Sequence, residues 1–263
     1  MNLIKFKLLK LQFLFLFLFV NAFASNHIPK HNIVNTESEN LILTFYTIAD
    51  LESKGLSYDA FKEGVTGYLN LLNEGEIQNK KVLSIIDFSQ PSNQKRLYII
   101  DIEKSCLLLN TYVAHGVNSG MLYANKFSNI LNSRQSSLGF YKASETYNGK
   151  YGLSLKLDGL EKNINHKARE RAIVLHPAKY VSQNFINNNG YTGRSFGCPA
   201  VSYKDHQKII NYIKGGSVMF IYTNKVDKAP TDLSTLPENT TALFSTYSCI
   251  APKKIQPVYT SNE

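Results

Sequence analysis

The sequence predicts a mainly β fold with α-helical additions, and three observations support this class. From residue 82 onward, short runs rich in β-branched and aromatic residues follow one another. Polar breaks separate these runs, and patterns of helical period appear before them and close to their end. Several strands at such close spacing are typical of a largely antiparallel, β-rich domain.

Two amphipathic helices are expected ahead of the strands. The segments "ENLILTFYTIADLESKG" and "LSYDAFKEGVTGYLNLLNEG" place apolar residues at steps of three and four, and Ser57 and Gly75 are suitable residues to begin and end the second helix. Residues 25–38 are polar and aperiodic, which predicts a flexible lead-in. We assign residues 25–80 to an N-terminal helical extension.

The predicted β-rich domain spans residues 81–224. A helix "YKDHQKIINYIKGG" follows most of the strands, with Ser202 or Asp205 near its start and Gly215 and Gly216 at its end, before a last strand "SVMFIYT". The earlier runs are "VLSIIDFS", "KRLYIIDIEK", "CLLLNTYVAHG", "GFYKASETY", "GLSLKLDGL" and "RAIVLHP". Residues 225–263 are rich in Thr, Ser and Pro with little periodicity, so we expect a partly irregular tail.

The first 24 residues have the pattern of a cleaved export signal. Lys5, Lys7 and Lys10 precede an apolar run that is too short to span a bilayer, and the segment ends Ala-Phe-Ala. An uncleaved N-terminal anchor is the alternative. Removal leaves 239 residues and lowers the formal net charge from +9 to +6. No basic run is interleaved with aromatics, which argues against a nucleic-acid-binding protein.

The chain has three cysteines, Cys106, Cys198 and Cys249. An odd number in an exported chain means that at least one thiol is free or paired with another molecule. A bridge between Cys106 and Cys249 would leave Cys198 free, but the sequence does not fix this pairing, and Cys106 is equally compatible with a buried apolar role.

A histidine and a cysteine in the last third of the predicted domain suggest nucleophilic chemistry. His176 ends the apolar strand "AIVL", and Cys198 follows after a long loop, directly behind Gly197. A thiol attacks acyl carbon as the thiolate, so it needs a nearby base. Gly197 permits a sharp turn in which the amides of residues 196–198 converge as an oxyanion hole requires.

Alone, this pattern is equally compatible with a structural histidine beside a structural cysteine. A metal site is poorly supported, because there is no C-x-x-C pair and the six histidines are scattered. Papain-like or NlpC-like peptidases place the cysteine before the histidine, which is the reverse of the order found here.

Several segments in order resemble the YkuD-type L,D-transpeptidase catalytic domain, and most closely its murein L,D-transpeptidase catalytic domain branch. "AIVLHP" followed by "RSFGCPAVS" resembles the family's histidine strand and its Ser/Thr-His-Gly-Cys turn. "SSLGFYKASETY" and "YKDHQKIINYIKGGSVMFIY" resemble two further family segments, and "DFSQPSNQKRLYIIDIE" and "VAHGVNSG" resemble the branch. The similarity covers residues 57–223 and implies a YkuD-like β-sandwich with one helix after the cysteine.

The resemblance implies Cys198 as nucleophile and His176 as its base, oriented by the backbone carbonyl of Pro177. Phe196 stands where the family has a histidine, and Pro199 stands where it usually has Arg or Asn. These two departures affect the expected substrate preference more than the chemistry, because the nucleophile, the base and the amide donors are all present.

Further site residues are expected around this pair. Phe196, Gly197 and Ser195 form the oxyanion and turn support, with Ser195 holding the turn through its hydroxyl. Arg194 has the planar fork that binds a carboxylate, although a solvated arginine fits as well. The expected substrate-contacting residues are Arg194, Ser137, Gly139, His115 and Tyr180, with Ser137 and Gly139 on the cleft floor.

The resemblance implies an exported cysteine L,D-transpeptidase of the periplasm or cell envelope, acting on peptidoglycan stem peptides through a thioester. We expect a monomer that requires neither metal nor organic cofactor and has no permanent membrane anchor. Two alternatives stay open, a murein hydrolase or amidase that uses the same Cys-His dyad, and a non-catalytic peptidoglycan-binding module in which Cys198 is buried or oxidised.

Overall fold

The computed structural model describes residues 30–227 and 229–247, and the side chains of residues 36–227 and 229–246. The predicted export signal and Cys249 lie outside these residues. The helices are α1 (Lys30–Ile48), α2 (Tyr58–Asn73), α3 (Gln183–Asn189), α4 (His206–Ile213) and α5 (Thr240–Tyr247). The strands are β1 (Val82–Asp87), β2 (Leu97–Asp101), β3 (Cys106–Thr111), β4 (Gly139–Gly149), β5 (Gly152–Gly159), β6 (Val174–Pro177), β7 (Ala200–Val201) and β8 (Ser217–Tyr222).

The eight strands form a sheet in the order β3-β2-β1-β8-β4-β5-β6-β7. Neighbours are antiparallel except for the pairs β1 with β8 and β6 with β7. The chain beyond β3 reaches the opposite edge, where Ala114 forms a bridge to Ala200 of β7. The sheet is therefore nearly closed on itself, and the mainly β class predicted from the sequence is confirmed.

The central strands are buried on both faces. On β8, Val218 and Phe220 join the hydrophobic cluster that α1 and α2 cover, whereas Met219 and Ile221 join the cluster that α4 covers. Because successive side chains of a strand point to opposite faces, both faces of β8 need apolar residues. This explains why "SVMFIY" is continuously apolar rather than alternating.

Helix α2 lies close to the sheet because it presents small residues there. An added Cβ at Gly67 would lie 2.0 Å from the Phe140 ring, and one at Gly64 would lie 3.0 Å from Ile85. Ser57 begins the helix as predicted, since its hydroxyl accepts from the Ala60 amide, an interaction worth about 1 kcal/mol. The predicted helical extension and the sheet thus share one hydrophobic cluster.

Both ends of the described chain are more ordered than the sequence suggests. Helix α1 begins at Lys30, inside the segment predicted to be a flexible lead-in, and Ser38 and Leu41 on it are already buried. In the predicted irregular tail, α5 places Phe244 against Phe45 with ring centroids 6.3 Å apart. Burial of a few apolar side chains overrides the weak local propensity of these segments.

The loop between His176 and Cys198 also contains a helix that the sequence analysis missed. In α3, the Ser182 hydroxyl accepts from the Phe185 amide at 3.2 Å, and Gly190 ends the helix with a φ of 80°. A Ser cap and a terminal Gly are ordinary helix boundaries, so these residues held a signal for it.

Within the described residues, no helix combines the length and the hydrophobicity needed to cross a bilayer. Cys106 and Cys198 both carry free thiols.

Candidate active site

Strand β6 carries the histidine to the edge of a groove. Leu175 points into the core, while Val174 and His176, on the other face of the strand, are half-buried and line the groove. β6 is held between β5, where Leu155 pairs with Leu175, and β7, where His176 pairs with Ala200. The imidazole is therefore mounted on a strand that is fixed on both sides.

The cysteine lies in a turn that its own residues stabilise. The Ser195 hydroxyl donates to the Cys198 carbonyl at 2.6 Å and accepts from the Gly197 amide at 3.0 Å. Gly197 has a φ of 125°, and an added Cβ would lie 2.8 Å from the Gln135 carbonyl. Only glycine fits this position without strain. From below, the Ser136 hydroxyl donates to the Gly197 carbonyl at 3.1 Å.

The thiol of Cys198 contacts the backbone at the start of β6. The Val174 amide donates to Sγ at 3.5 Å, and Sγ donates to the Ala172 carbonyl at 3.7 Å. Burial raises the pKa of the Cys198 thiol, while the Val174 amide and the charge of Arg171 act in the opposite direction. The sulfur is half-buried at the floor of the groove.

The imidazole of His176 has a defined tautomer. Its Nδ1 lies 3.0 Å from the Pro177 carbonyl oxygen, and a carbonyl only accepts, so Nδ1 carries the proton and Nε2 keeps a lone pair. Burial lowers the pKa of His176, partly opposed by the Pro177 carbonyl. The ring therefore stays neutral at neutral pH and is able to accept a proton.

The thiol and the imidazole line the same groove, which has a volume of about 810 Å³. Among the described residues there is no hydrogen bond between Sγ and the imidazole, because the thiol is directed to Ala172. The sequence predicted that the two groups share a cleft, and both line this groove without a hydrogen bond between them.

Of the three amides expected to converge, that of Gly197 is engaged by the Ser195 hydroxyl. This corrects the prediction for Gly197. In the part of the chain that the structure describes, the amides of Phe196 and Cys198 donate to no other group. Two donors are therefore free in this turn, and Gly197 provides the positive φ that the turn requires.

Two of the expected substrate-contacting residues, Arg194 and Tyr180, line the groove. Arg194 donates to the Gly120 carbonyl at 3.4 Å, and its guanidinium lies 5.9 Å from the Tyr191 ring centroid. Burial raises the pKa of Tyr180 to about 12. Tyr180 packs directly against Gly193, because a Cβ added at Gly193 would lie only 2.5 Å from the Tyr180 side chain.

His115 lies away from the groove, which corrects its prediction as a cleft residue. It is fully buried, its Nδ1 accepts from Arg96 at 2.8 Å, and its Nε2 lies 3.2 Å from the Gly120 carbonyl. Burial and the charge of Arg96 lower the pKa of His115 to about 3. Its backbone carbonyl accepts from the Ser195 amide at 3.0 Å, so it supports the cysteine turn from behind.

Ser137 and Gly139 are likewise not part of the groove. The buried Ser137 hydroxyl lies 2.6 Å from the Tyr141 hydroxyl. Gly139 lines a separate cavity, and an added Cβ there would lie 2.1 Å from the Glu161 carboxylate. Gly139 is the first residue of β4 and Ser137 lies just before it, and the sequence alone does not show which face of this segment looks toward the groove.

The sequence analysis missed one complete wall of the groove. The tip of the β4–β5 hairpin supplies Tyr147, Lys150 and Tyr151, and the Tyr151 ring centroid is 6.0 Å from that of His176. Lys179 and Tyr203 also line the groove. The turn "YNGK" marked the hairpin, but nothing in the sequence showed that its tip reaches the histidine.

A thiol and a neutral imidazole with one free nitrogen line this groove, and two free amides flank the thiol in the chain. These are the groups that acyl transfer through a cysteine requires. The model of the L,D-transpeptidase catalytic domain matches residues 52–222. The chain belongs to the L,D-transpeptidase catalytic domain family, as the resemblance of its segments predicted.

Several solved structures are similar to the chain. An L,D-transpeptidase from Mycobacterium smegmatis is 10% identical over 54% of this chain and 58% of its own, with a TM-score of 0.35. An L,D-transpeptidase from Stackebrandtia nassauensis is 12% identical over 64% and 68%, with a TM-score of 0.34. The helical cell shape determining protein Pgp2 from Campylobacter jejuni is 12% identical over 68% and 61%, with a TM-score of 0.38.

The chain thus spans somewhat less than three fifths of the length of the M. smegmatis structure. No curated protein matches it.

Proposed function

We propose that the protein is an exported cysteine L,D-transpeptidase that acts on tetrapeptide stems of peptidoglycan. Membership of the family supports action on peptidoglycan. The observation that carries the mechanism is the shared groove, where the Cys198 thiol and a His176 imidazole with a free Nε2 face the same space.

Acylation begins with rotation of the thiol from the Ala172 carbonyl toward Nε2 of His176, which takes its proton. The thiolate attacks the carbonyl that joins diaminopimelate to the terminal D-alanine. The amides of Phe196 and Cys198 stabilise the oxyanion, since they flank the thiol in the chain and no described group accepts from them. D-Alanine leaves with the proton from the imidazolium, and a thioester on Cys198 remains.

Deacylation depends on the acceptor. The side-chain amine of diaminopimelate on a neighbouring stem attacks the thioester and gives its proton to His176. The C–S bond breaks, the Cys198 thiolate leaves and takes the proton back from His176, and the new amide is a 3→3 cross-link. Water in the same place gives a shortened stem, which is carboxypeptidase activity. The groove is open enough for either acceptor, so the partition between them is the quantity to measure.

The charge of the groove supports an anionic peptide as substrate. Lys150, Lys179 and Arg194 line it, and none of its described lining residues is acidic. Stem peptides carry free carboxylates, which such cations attract. Phe196, 72% exposed at the groove and stacked under Arg134 at 4.6 Å, offers an apolar surface where the family has a histidine.

The proposed place of action is the periplasm or cell envelope, reached through the predicted signal of residues 1–24. Export is tested by N-terminal sequencing of protein recovered from the envelope fraction, which is expected to begin at Ser25. A chain that retains its first 24 residues after fractionation contradicts cleavage.

The central test is incubation of the mature chain with a disaccharide-tetrapeptide, followed by mass spectrometry. We expect dimers or trimmed monomers, loss of D-alanine and a covalent adduct on Cys198. A Cys198→Ala protein is expected to give none of these. Equal product from Cys198→Ala would refute the proposal, and an unreactive Cys198 with retained binding to murein would favour a non-catalytic module.

A further inference from the structure

Arg171 lies beneath the cysteine turn, on the segment that joins β5 to β6. Its Nη2 is 3.4 Å from the position that a Cβ would take at Gly197, the neighbour of Cys198. The next residue, Ala172, provides the carbonyl that accepts from the thiol. The guanidinium and the thiol therefore flank the same turn.

Every hydrogen-bond acceptor of Arg171 is neutral. Nη1 donates to the Ser128 carbonyl at 2.6 Å and to the Ser137 hydroxyl at 3.0 Å. Nη2 donates to the Gln135 carbonyl at 2.6 Å and to the Ser133 hydroxyl at 3.3 Å. In the described part of the chain no carboxylate forms an ion pair with it. Its positive charge is held in place without being neutralised.

Arg169, two residues earlier, shows the contrast. Its guanidinium forms ion pairs with Glu145 and Asp158, so the charge is compensated locally. The same segment therefore carries one arginine that serves an ion-pair network and another whose charge remains available to the turn above it.

We propose that Arg171 is a positioning residue that stabilises the thiolate of Cys198 through this uncompensated charge. The inference rests on the proposed function, which needs the thiolate, but its test needs no peptidoglycan. A cation beside the turn that carries a partly buried sulfur favours the ionised form, because the low local dielectric strengthens the attraction.

The other ionisable groups around the thiol do not supply this charge. His176 is neutral because burial lowers its pKa, and burial raises the pKa values of Tyr180 and Tyr141. Arg194 is directed to Gly120 and Tyr191. Burial raises the pKa of Cys198, and Arg171 is the charged side chain that opposes this rise.

The test measures the pH dependence of Cys198 alkylation by iodoacetamide in the folded, mature chain. Peptide mass spectrometry separates Cys198 from the other two cysteines. In Arg171→Gln we expect the alkylation rate at pH 7 to fall roughly tenfold and its midpoint to move to higher pH, since an adjacent unit charge commonly has an effect of this size. Arg171→Lys is expected to keep most of the parent rate.

Arg169→Gln is the matched control, and its alkylation profile is expected to equal that of the parent. An unchanged profile in folded Arg171→Gln overturns the proposal. Equal shifts in Arg171→Gln and Arg171→Lys also overturn it, because they would show that Arg171 only anchors the loop that contains Ser133 and Gln135.

Should Arg171→Gln not fold, Ser133→Asp gives the second measurement. It places a carboxylate on Nη2 and leaves the other bonds of Arg171 intact, and Ser133→Asn is its uncharged counterpart. The proposal is supported if alkylation is slower in Ser133→Asp but not in Ser133→Asn. Equal rates in the two variants contradict it.

Discussion

Two histidines of this protein follow apolar strands, yet their surroundings are opposite. His115 is fully buried, and both its ring nitrogens have partners, Arg96 and the Gly120 carbonyl. His176 has one nitrogen bonded to the Pro177 carbonyl and the other facing a groove. The comparison shows that an imidazole suited to proton transfer is recognised by its free nitrogen rather than by its sequence context.

The side chains of Arg96 and His115 are occupied by hydrogen-bond partners in a way that the groups of the groove are not. The Arg96 guanidinium, 0% exposed, donates to the carbonyls of Val113 and Gln90 and to His115. Burial lowers the pKa of Arg96 to about 9. Such a network stabilises a single conformation, whereas the groove keeps a lone pair, a thiol and two amides for a substrate.

The largest effect is expected from removing the groove imidazole. His176→Ala should lower kcat/KM for D-alanine release by a factor of about 10² to 10⁴, the usual contribution of a general base. Part of the loss should be recovered at high pH, where the thiol ionises without help. Steady-state kinetics from pH 6 to 10 measures both effects. A kcat/KM within threefold of the parent at pH 7 would contradict the contrast between His176 as a base and His115 as a structural group.

The buried imidazole of His115 should instead determine how much folding stability is lost at acidic pH. The pKa of His115 is about 3 in the folded chain and about 6.5 when unfolded, so between these values the unfolded chain binds the extra proton. Stability is therefore lost as the pH falls below 6.5. We expect a loss of about 2 kcal/mol between pH 7 and 4.5.

Urea denaturation at pH 7 and 4.5 measures this loss, and the difference between the parent and His115→Gln separates it from carboxylate titration, which begins in the same range. His115→Gln should flatten the pH dependence, since glutamine can accept from Arg96 without titrating. The His176→Ala variant should keep most of the pH dependence of stability. If the unfolding free energy of His115→Gln falls between pH 7 and 4.5 as much as that of the parent, another group causes the loss.

A third test changes the turn of residues 195–198, which lies between buried His115 and the groove. Gly197→Ala places a Cβ 2.8 Å from the Gln135 carbonyl at a φ of 125°, which we expect to cost about 2 kcal/mol of folding stability. Gly190→Ala is the control, since its φ of 80° is also positive but its added Cβ meets nothing within 4 Å. Equal melting temperatures for the two variants would contradict this account of the turn.

The smallest effect is expected from the groove cations. Arg194→Gln or Lys150→Gln should raise KM for an unamidated tetrapeptide by a factor of about two to five, because an exposed charge pair is worth about 1 kcal/mol or less. A substrate with amidated carboxylates should show no such change. Lys104→Gln, on the turn between β2 and β3, is the control. An equal rise in KM for both substrates would instead indicate that the side chain contributes to packing and does not bind a carboxylate.

Much of the fold could be predicted because its signals are local. Ser57 caps α2, and "SVMFIYT" forms β8, as expected. The pair Cys198 and His176, and the carbonyl of Pro177, could be proposed because their spacing and order resemble a family. The structure places them in one groove, while their catalytic roles stay predictions.

The remainder depends on contacts that no local pattern encodes. The hairpin tip with Tyr151 reaches His176 only through the pairing of β5 with β6. The burial of His115 follows from Arg96, which comes 19 residues earlier. Arg171 has no motif at all, because its partners belong to a loop some 35 to 45 residues away.

The bridges from Ala114 to Ala200 and from Gly116 to Ser195 join the turn that carries Cys198 to the chain that follows β3, at the far edge of the sheet. Closing that seam and ordering the turn consequently depend on the same backbone hydrogen bonds. A chain whose seam has not yet formed lacks the ordered turn that carries Cys198. Nascent or partly opened molecules would in this way be unable to offer the thiol and the imidazole in one groove until the last edge is joined.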